Sequence, residues 1–190
     1  MVNSPKLILI GGGVRSGKSA FALSLALGLG ERRVFLATAE ALDDEMRERI
    51  EAHRRDRDGM APGQGEAFET VEEPLDLPGA VARLRDRDVA VVDCLTLWIS
   101  NLLLRGDSHG RILEQVDALL AALEERALHA VLVTNEVGMG VVPASASGRA
   151  FRDVCGAAHS RISRAADEVY LAVLGTVLRI KPSPLAVPPE

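Results

Sequence analysis

An α/β fold, with a mostly parallel sheet flanked by helices, is predicted by three features of this 190-residue chain. Short apolar runs alternate with longer stretches of helix formers, the order in which successive βα units build a parallel sheet. Hydrophobic residues make up 47% of the chain and aromatics only 3%, so the core must be built from Val, Leu, Ile and Ala, as in strands buried on both faces. The first apolar run also feeds into a glycine-rich loop and then a helix, a junction at which proteins of this class bind ligands. The length fits one domain, expected over residues 1–181, with the proline-rich stretch 182–190 a disordered tail.

The first strand is Leu7-Ile8-Leu9-Ile10, and Gly12-Gly13-Val14-Arg15-Ser16-Gly17-Lys18-Ser19 after it fits the spacing G-x-x-x-x-G-K-[ST]. Ala20 to Leu27 is rich in helix formers, so strand, loop and helix follow in the order a phosphate-binding P-loop requires. Backbone N–H groups of Gly13 to Lys18 are expected to form a nest for anionic oxygens at the positive end of that helix. Lys18 reaches the β- and γ-phosphates and Ser19 offers its hydroxyl to Mg²⁺. The pattern predicts a nucleoside di- or triphosphate as ligand.

Val34 to Thr38 reads as the second strand. Asp43-Asp44-Glu45 suit a helix start, and Met46, Ile50 and His53 then share one helical face. Gly59 to Gly65 has no period and reads as a loop. Phe68 to Val71 suits a short strand, followed by a helix from Leu75 or Pro78 to Arg85. Val89-Ala90-Val91-Val92-Asp93 is a buried strand ending in a carboxylate, the form of the Mg²⁺-associated acid in P-loop enzymes. Leu95 to Leu104 and Ile112 to Ala127 read as helices covering the sheet. Ala130 to Thr134 is another buried strand, whose polar end Asn135-Glu136 should share the carboxyl edge with the loop and Asp93.

After a flexible stretch from Val137 to Gly148, a helix from Arg149 to Ala166 carries Arg149, Arg152, Arg161 and Arg164, whose spacing does not separate phosphate ligands from solvated surface. Val169 to Leu174 and Val177 to Lys181, joined through Gly175-Thr176, read as a closing hairpin. His109 and His129 are expected at the surface, and Cys94 and Cys155 read as small buried hydrophobes without chemistry.

The net charge of −5 argues against general nucleic-acid binding. No apolar run reaches the roughly 18 residues of a membrane span, and no secretory segment opens the chain, so a cytoplasmic protein is expected. A GTPase switch would carry an Asn-Lys-x-Asp guanine motif after a late strand, where Thr134-Asn135-Glu136-Val137-Gly138 stands instead. A small-molecule kinase fits best.

Beyond the P-loop, Ala37-Thr38-Ala39, Leu42-Asp43-Asp44-Glu45-Met46 with His53-Arg54, Asp93-Cys94-Leu95-Thr96 with Asn101-Leu102, and Thr134-Asn135-Glu136-Val137-Gly138-Met139-Gly140 with Phe151-Arg152-Asp153 carry a closer likeness. In this order they resemble the bifunctional adenosylcobinamide kinase/adenosylcobinamide-phosphate guanylyltransferase family from about Leu7 to Lys181. The resemblance implies a RecA-like P-loop fold with an antiparallel strand near the C-terminus, and assembly as a homotrimer. It implies phosphorylation of adenosylcobinamide from ATP or GTP, then transfer of GMP from GTP to the phosphate through a guanylylated histidine. The position of that nucleophile is matched by His53; a neutral imidazole is a competent nucleophile near pH 7. Asp93 is expected on Mg²⁺, with Thr38, Thr96 and Asn101 lining the nucleotide site and Asn135 and Glu136 also among the site-lining residues; Thr96 and Asn101 could instead cap or pack their helix. Two departures stand out: His159-Ser160 where the family tends to have Asn-Gln, and Phe68 after a glycine-rich stretch where a tryptophan is usual. The alternative readings are a monofunctional P-loop kinase for another small alcohol, with no covalent intermediate, and a nucleotide sensor without turnover.

Overall fold

Alternation along the strands fixes the two faces of the sheet. The computed structural model describes residues 4–40, 44, 47–48, 50–51, 54–55, 68–86 and 88–182. Its strands are β1 (Leu7–Gly12), β2 (Arg33–Ala37), β3 (Glu69–Glu72), β4 (Val89–Asp93), β5 (His129–Asn135), β6 (Glu168–Val173) and β7 (Thr176–Lys181). They form one sheet in the order β3-β2-β4-β5-β1-β6-β7. All neighbours run parallel except β6 and β7.

Five helices carry full bounds: α1 (Lys18–Leu29), α2 (Leu77–Ala82), α3 (Leu95–Arg105), α4 (His109–Glu125) and α5 (Ala146–Ala165). One sheet face, with Ile8, Ile10, Phe35, Val91, Val131 and Val133, packs on Ala22, Leu23 and Ala26 of α1. The other, with Leu9, Leu36, Val92, Ala130 and Leu132, packs on the apolar sides of α2, α3, α4 and α5. Successive strand residues point to opposite faces, so a central strand needs an apolar residue at every position, and β4 and β5 read that way.

Side-chain caps move several boundaries from those expected. Ser108 accepts a hydrogen bond from the Arg111 amide and starts α4 at His109 rather than Ile112. Ser145 accepts from the Gly148 amide, starting α5 at Ala146 rather than Arg149. Asp76 caps α2, which ends at Ala82, short of the expected Arg85. Within this layer α4 rests mainly on α2 and α5. The hairpin turn is Leu174-Gly175, both at positive φ (51° and 74°), one residue before the expected pair. Two successive positive φ values match the two-residue turn favoured by strand twist.

His129 is not at the surface: as the first residue of β5 it is only 7% exposed, and its Nδ1 has no hydrogen-bond partner among the described residues. His109 is exposed, as expected. Asp44, Arg47, Glu48, Ile50, Glu51, Arg54 and Arg55 are helical, agreeing with the helix expected there. The loop 59–65 and the tail from 183 lie outside the described residues. Among those residues, no helix is long and apolar enough to cross a membrane.

Trp98, fully buried on α3, donates its indole N–H to the Leu75 carbonyl at 2.8 Å and so ties α3 to the approach to α2. Trp98→Phe keeps the apolar packing and orphans that carbonyl. We expect a loss of about 1–3 kcal/mol in chemical denaturation, with nucleotide binding retained.

Candidate functional site

The carboxyl ends of β1, β4 and β5 meet at one edge of the sheet, and most of the sequence-predicted site residues lie there. The order of the strands puts β5 between β1 and β4. Gly12 ends β1 opposite Asn135 of β5 and Ala172 of β6. A Cβ at Gly12 would stand 2.5 Å from the Ala172 carbonyl oxygen and 2.7 Å from Ser16 Oγ, so only glycine allows the chain to turn here.

The loop then rises with Val14 76% exposed, Arg15 at φ 55° and Gly17 at φ 88°. Gly17 is the N-cap of α1 and supplies no side chain, so the first amides of the helix lack a side-chain cap. Ser16 is buried and its hydroxyl has no hydrogen-bond partner among the described residues. Lys18 is buried too, with its Nζ donating to the Gly13 carbonyl at 3.1 Å. Ser19, half-buried, follows on the first turn of α1. Uncapped amides, an unpartnered hydroxyl and an ammonium folded onto the loop together suit an anion such as a phosphate chain.

Asp93 ends β4, half-buried. Next to it the Cys94 thiol is pushed up chiefly by burial and further by Asp93, while the Thr96 hydroxyl and the positive charge of Lys18 pull it down. Lys18 and Asp93 thus both act on one buried thiol. Among the described residues no group of three His, Cys, Asp or Glu could hold a metal unaided. A site with Ser19 and Asp93 as its only protein ligands fits Mg²⁺, which keeps waters and takes the rest of its shell from substrate phosphates.

Beneath this edge runs a buried polar network. Thr38 Oγ1 donates to the Cys94 carbonyl and accepts from the Cys94 amide, both at 2.8 Å. Thr96 Oγ1 lies 3.0 Å from Cys94 Sγ and accepts from Asn135 Nδ2 at 2.9 Å. Asn101 Nδ2 donates to the carbonyls of Thr38 (2.8 Å) and Pro74 (3.1 Å). Thr38, Thr96 and Asn101 are therefore gathered at the site edge, where their bonds hold the ends of β2, β4 and β5 together. Cys94 belongs to this network and is more than an apolar filler.

Three of the α5 arginines have hydrogen bonds within the protein. Arg149 bonds the Pro143 and Ala144 carbonyls, Arg161 pairs with Asp117, and Arg164 bonds Ser160. Arg152, half-buried, has a looser contact with Asp153 at 3.8 Å. His53 lies outside the described residues. Its described neighbour Arg54 pairs with Glu72 at the carboxyl end of β3. A groove of about 540 Å³, lined by Lys6, Leu123, Arg126 and Asp167, opens at the opposite edge, away from the P-loop.

Sequence reasoning missed one contact, between elements 25 residues apart: His159 Nε2 on α5 lies 2.6 Å from Thr134 Oγ1 on β5. No local pattern signals it. Burial pushes the His159 imidazole below its ordinary pKa, and the nearby Glu136 carboxylate opposes that shift.

A family model described as cobinamide kinase / cobinamide phosphate guanyltransferase matches residues 8–180. A protein of Escherichia coli (strain K12), described as bifunctional adenosylcobalamin biosynthesis protein CobU, is 37% identical over 188 residues, covering 92% of this chain and 99% of its own. One from Pseudomonas aeruginosa PAO1, described as bifunctional adenosylcobalamin biosynthesis protein CobP, is 40% identical over 181 residues, covering 93% and 98%. Among solved structures, an ATPase from the type III secretion system of pathogenic bacteria matches with a TM-score of 0.58 at 13% identity, over 90% of this chain and 52% of that one. The flagellar accessory protein FlaH from Methanocaldococcus jannaschii gives 0.54 at 12%, over 93% and 76%, and the RadB recombinase 0.50 at 15%, over 88% and 74%. These structural likenesses bear on the fold alone, and they bear out the RecA-like P-loop architecture.

Because the folded state holds His159 less readily protonated than the unfolded chain does, the stability from its neutral ring is complete above about pH 6.5 and declines as pH falls below that value. His129 acts in the same direction. His159→Gln retains a hydrogen-bonding group without the titration. Its melting temperature should fall less steeply than the wild type's between about pH 7 and about pH 5, and equal slopes would refute the assignment.

Proposed function

Since the chain belongs to the cobinamide kinase / cobinamide phosphate guanyltransferase family, we propose that it phosphorylates adenosylcobinamide from ATP or GTP and then transfers GMP from GTP to adenosylcobinamide phosphate. The products of the second step are adenosylcobinamide-GDP and pyrophosphate. The observation that carries this reading is the P-loop: α1 without a side-chain cap, a buried Ser16 hydroxyl without a partner among the described residues, and the Lys18 ammonium folded onto the loop at the sheet edge where Asp93 ends β4.

In the first reaction the loop amides of Gly13 to Lys18 and the Lys18 ammonium bind and orient the β- and γ-phosphates of the donor. Mg²⁺ held by Ser19 and Asp93 would neutralise charge developing on those oxygens. In the second, neutral His53 attacks the α-phosphorus of GTP; the bond to the β-phosphate oxygen breaks and pyrophosphate leaves, stabilised by Lys18 and the loop. An oxygen of adenosylcobinamide phosphate then displaces His53 and takes the GMP. Exposed Met139, Val141 and Val142 on the loop after β5 offer apolar cover for a large acceptor at this edge.

Arg54, adjacent to His53 in sequence, pairs with Glu72 on β3, and β3 is four strands from β1. Assembly as a homotrimer and one catalytic domain over residues 1–181 complete the reading.

After incubation with GTP and Mg²⁺, the intact mass of the protein should rise by one GMP in an acid-labile adduct. ATP should give none, and neither should His53→Ala. A folded, GTP-binding wild type without the adduct would contradict the transferase half and leave a kinase without a covalent intermediate.

A further inference from the structure

Phosphoryl transfer to an alcohol removes a proton, and no group assigned so far takes it. Among the described residues, four carboxylates besides Glu136 end or follow a strand at the ligand edge. Glu72 pairs with Arg54. Glu73 accepts from the amides of Leu75 and Asp76 and pairs with Arg83. Glu40 follows β2, three strands from the P-loop strand. Asp93 is two strands away and is assigned to the metal.

Glu136 differs from all of these. It follows directly on β5, the strand hydrogen-bonded to β1, and its own amide donates to the carbonyl of Gly12 in the P-loop at 3.0 Å. Its side chain is half-buried. Oε1 accepts from the Gly138 amide at 2.6 Å, while Oε2 has no hydrogen bond and neither oxygen has a cationic partner among the described residues. The neighbouring imidazole, His159, is turned to Thr134 and is held neutral by burial. The result is a carboxylate fixed through one oxygen, with the other open, beside the loop that would hold the γ-phosphate.

We propose that Glu136 is the general base of the phosphoryl-transfer step, its open carboxylate oxygen accepting the proton of the acceptor hydroxyl. This rests on the functional reading above. The acceptor oxygen bonds to the γ-phosphorus as its proton passes to Glu136. The bond from the γ-phosphorus to the β-phosphate oxygen breaks, its electron pair leaves with the nucleoside diphosphate, and Glu136 returns the proton to water. The guanylyl step makes no such demand, because its acceptor is a phosphate monoester with a second pKa near 6, already ionised at neutral pH. Glu136 therefore separates the two activities of one protein.

Glu136→Gln tests this in the full-length chain, since its amide oxygen still accepts from the Gly138 amide and keeps the turn. Two assays are run on each protein: phosphorylation of adenosylcobinamide by ATP, and guanylylation of preformed adenosylcobinamide phosphate by GTP. We expect the variant's kcat for phosphorylation to fall by about 10²- to 10⁴-fold, while guanylylation stays near the wild-type rate. Phosphorylation at the wild-type rate would overturn the proposal, and so would equal losses in both assays, which would make Glu136 a structural clamp. A wild type that performs neither reaction would refute the functional reading itself, and the proposal with it.

Discussion

The placement of β5 between the P-loop strand and the Asp93 strand is the constraint on which the rest of the site depends. A parallel sheet sets all of its carboxyl ends at one edge, but the strand order decides which residues become neighbours. Here the order sets Asn135 and Glu136 between Gly12 and Asp93. Close contact reinforces the order: Gly12 meets Ala172 with no space for a side chain, and the Glu136 amide is bonded to the Gly12 carbonyl. The loop therefore starts from a fixed point.

Rigidity at this edge comes from two sources. Apolar residues on both faces of the central strands bury the sheet between helical layers, so displacement of one strand disturbs packing on both sides. Polar groups just under the edge are satisfied internally, through Thr38, Cys94, Thr96, Asn101 and Asn135. Buried polar groups with partners specify one arrangement, whereas the same groups left bare would be costly. Against this satisfied background Ser16 stands out, a buried hydroxyl in the loop with no partner among the described residues. Lys18, bonded to a carbonyl of its own loop, is held close to where phosphates would bind.

Much of this was legible in the sequence because the signals are local. The P-loop spacing, the apolar strands ending in Asp93 and Asn135, and the hairpin at the end of the chain each depend on residues within a few positions of one another. Helix starts were displaced where a serine capped earlier than the apolar period began, as at Ser108 and Ser145. His129 was misplaced because a polar residue before an apolar run resembles a strand edge, yet β5 is central and buries its first residue. The strand order and the contact between His159 and Thr134 join distant parts of the chain, and no spacing rule reaches that far. Polar partners likewise decide whether Thr38 and Asn101 face a ligand or the protein, which residue type alone does not.

The loop from Gly12 to Ser19 is proposed here as the nucleotide site. Calorimetric titration of the full-length protein with Mg²⁺ and a non-hydrolysable GTP analogue tests it most directly. The account predicts one molecule bound per chain, at least tenfold weaker binding in Lys18→Ala, about 1.4 kcal/mol or more, and a similar melting temperature for the two proteins without nucleotide. Equal affinity in wild type and variant would place the phosphates elsewhere and contradict the account.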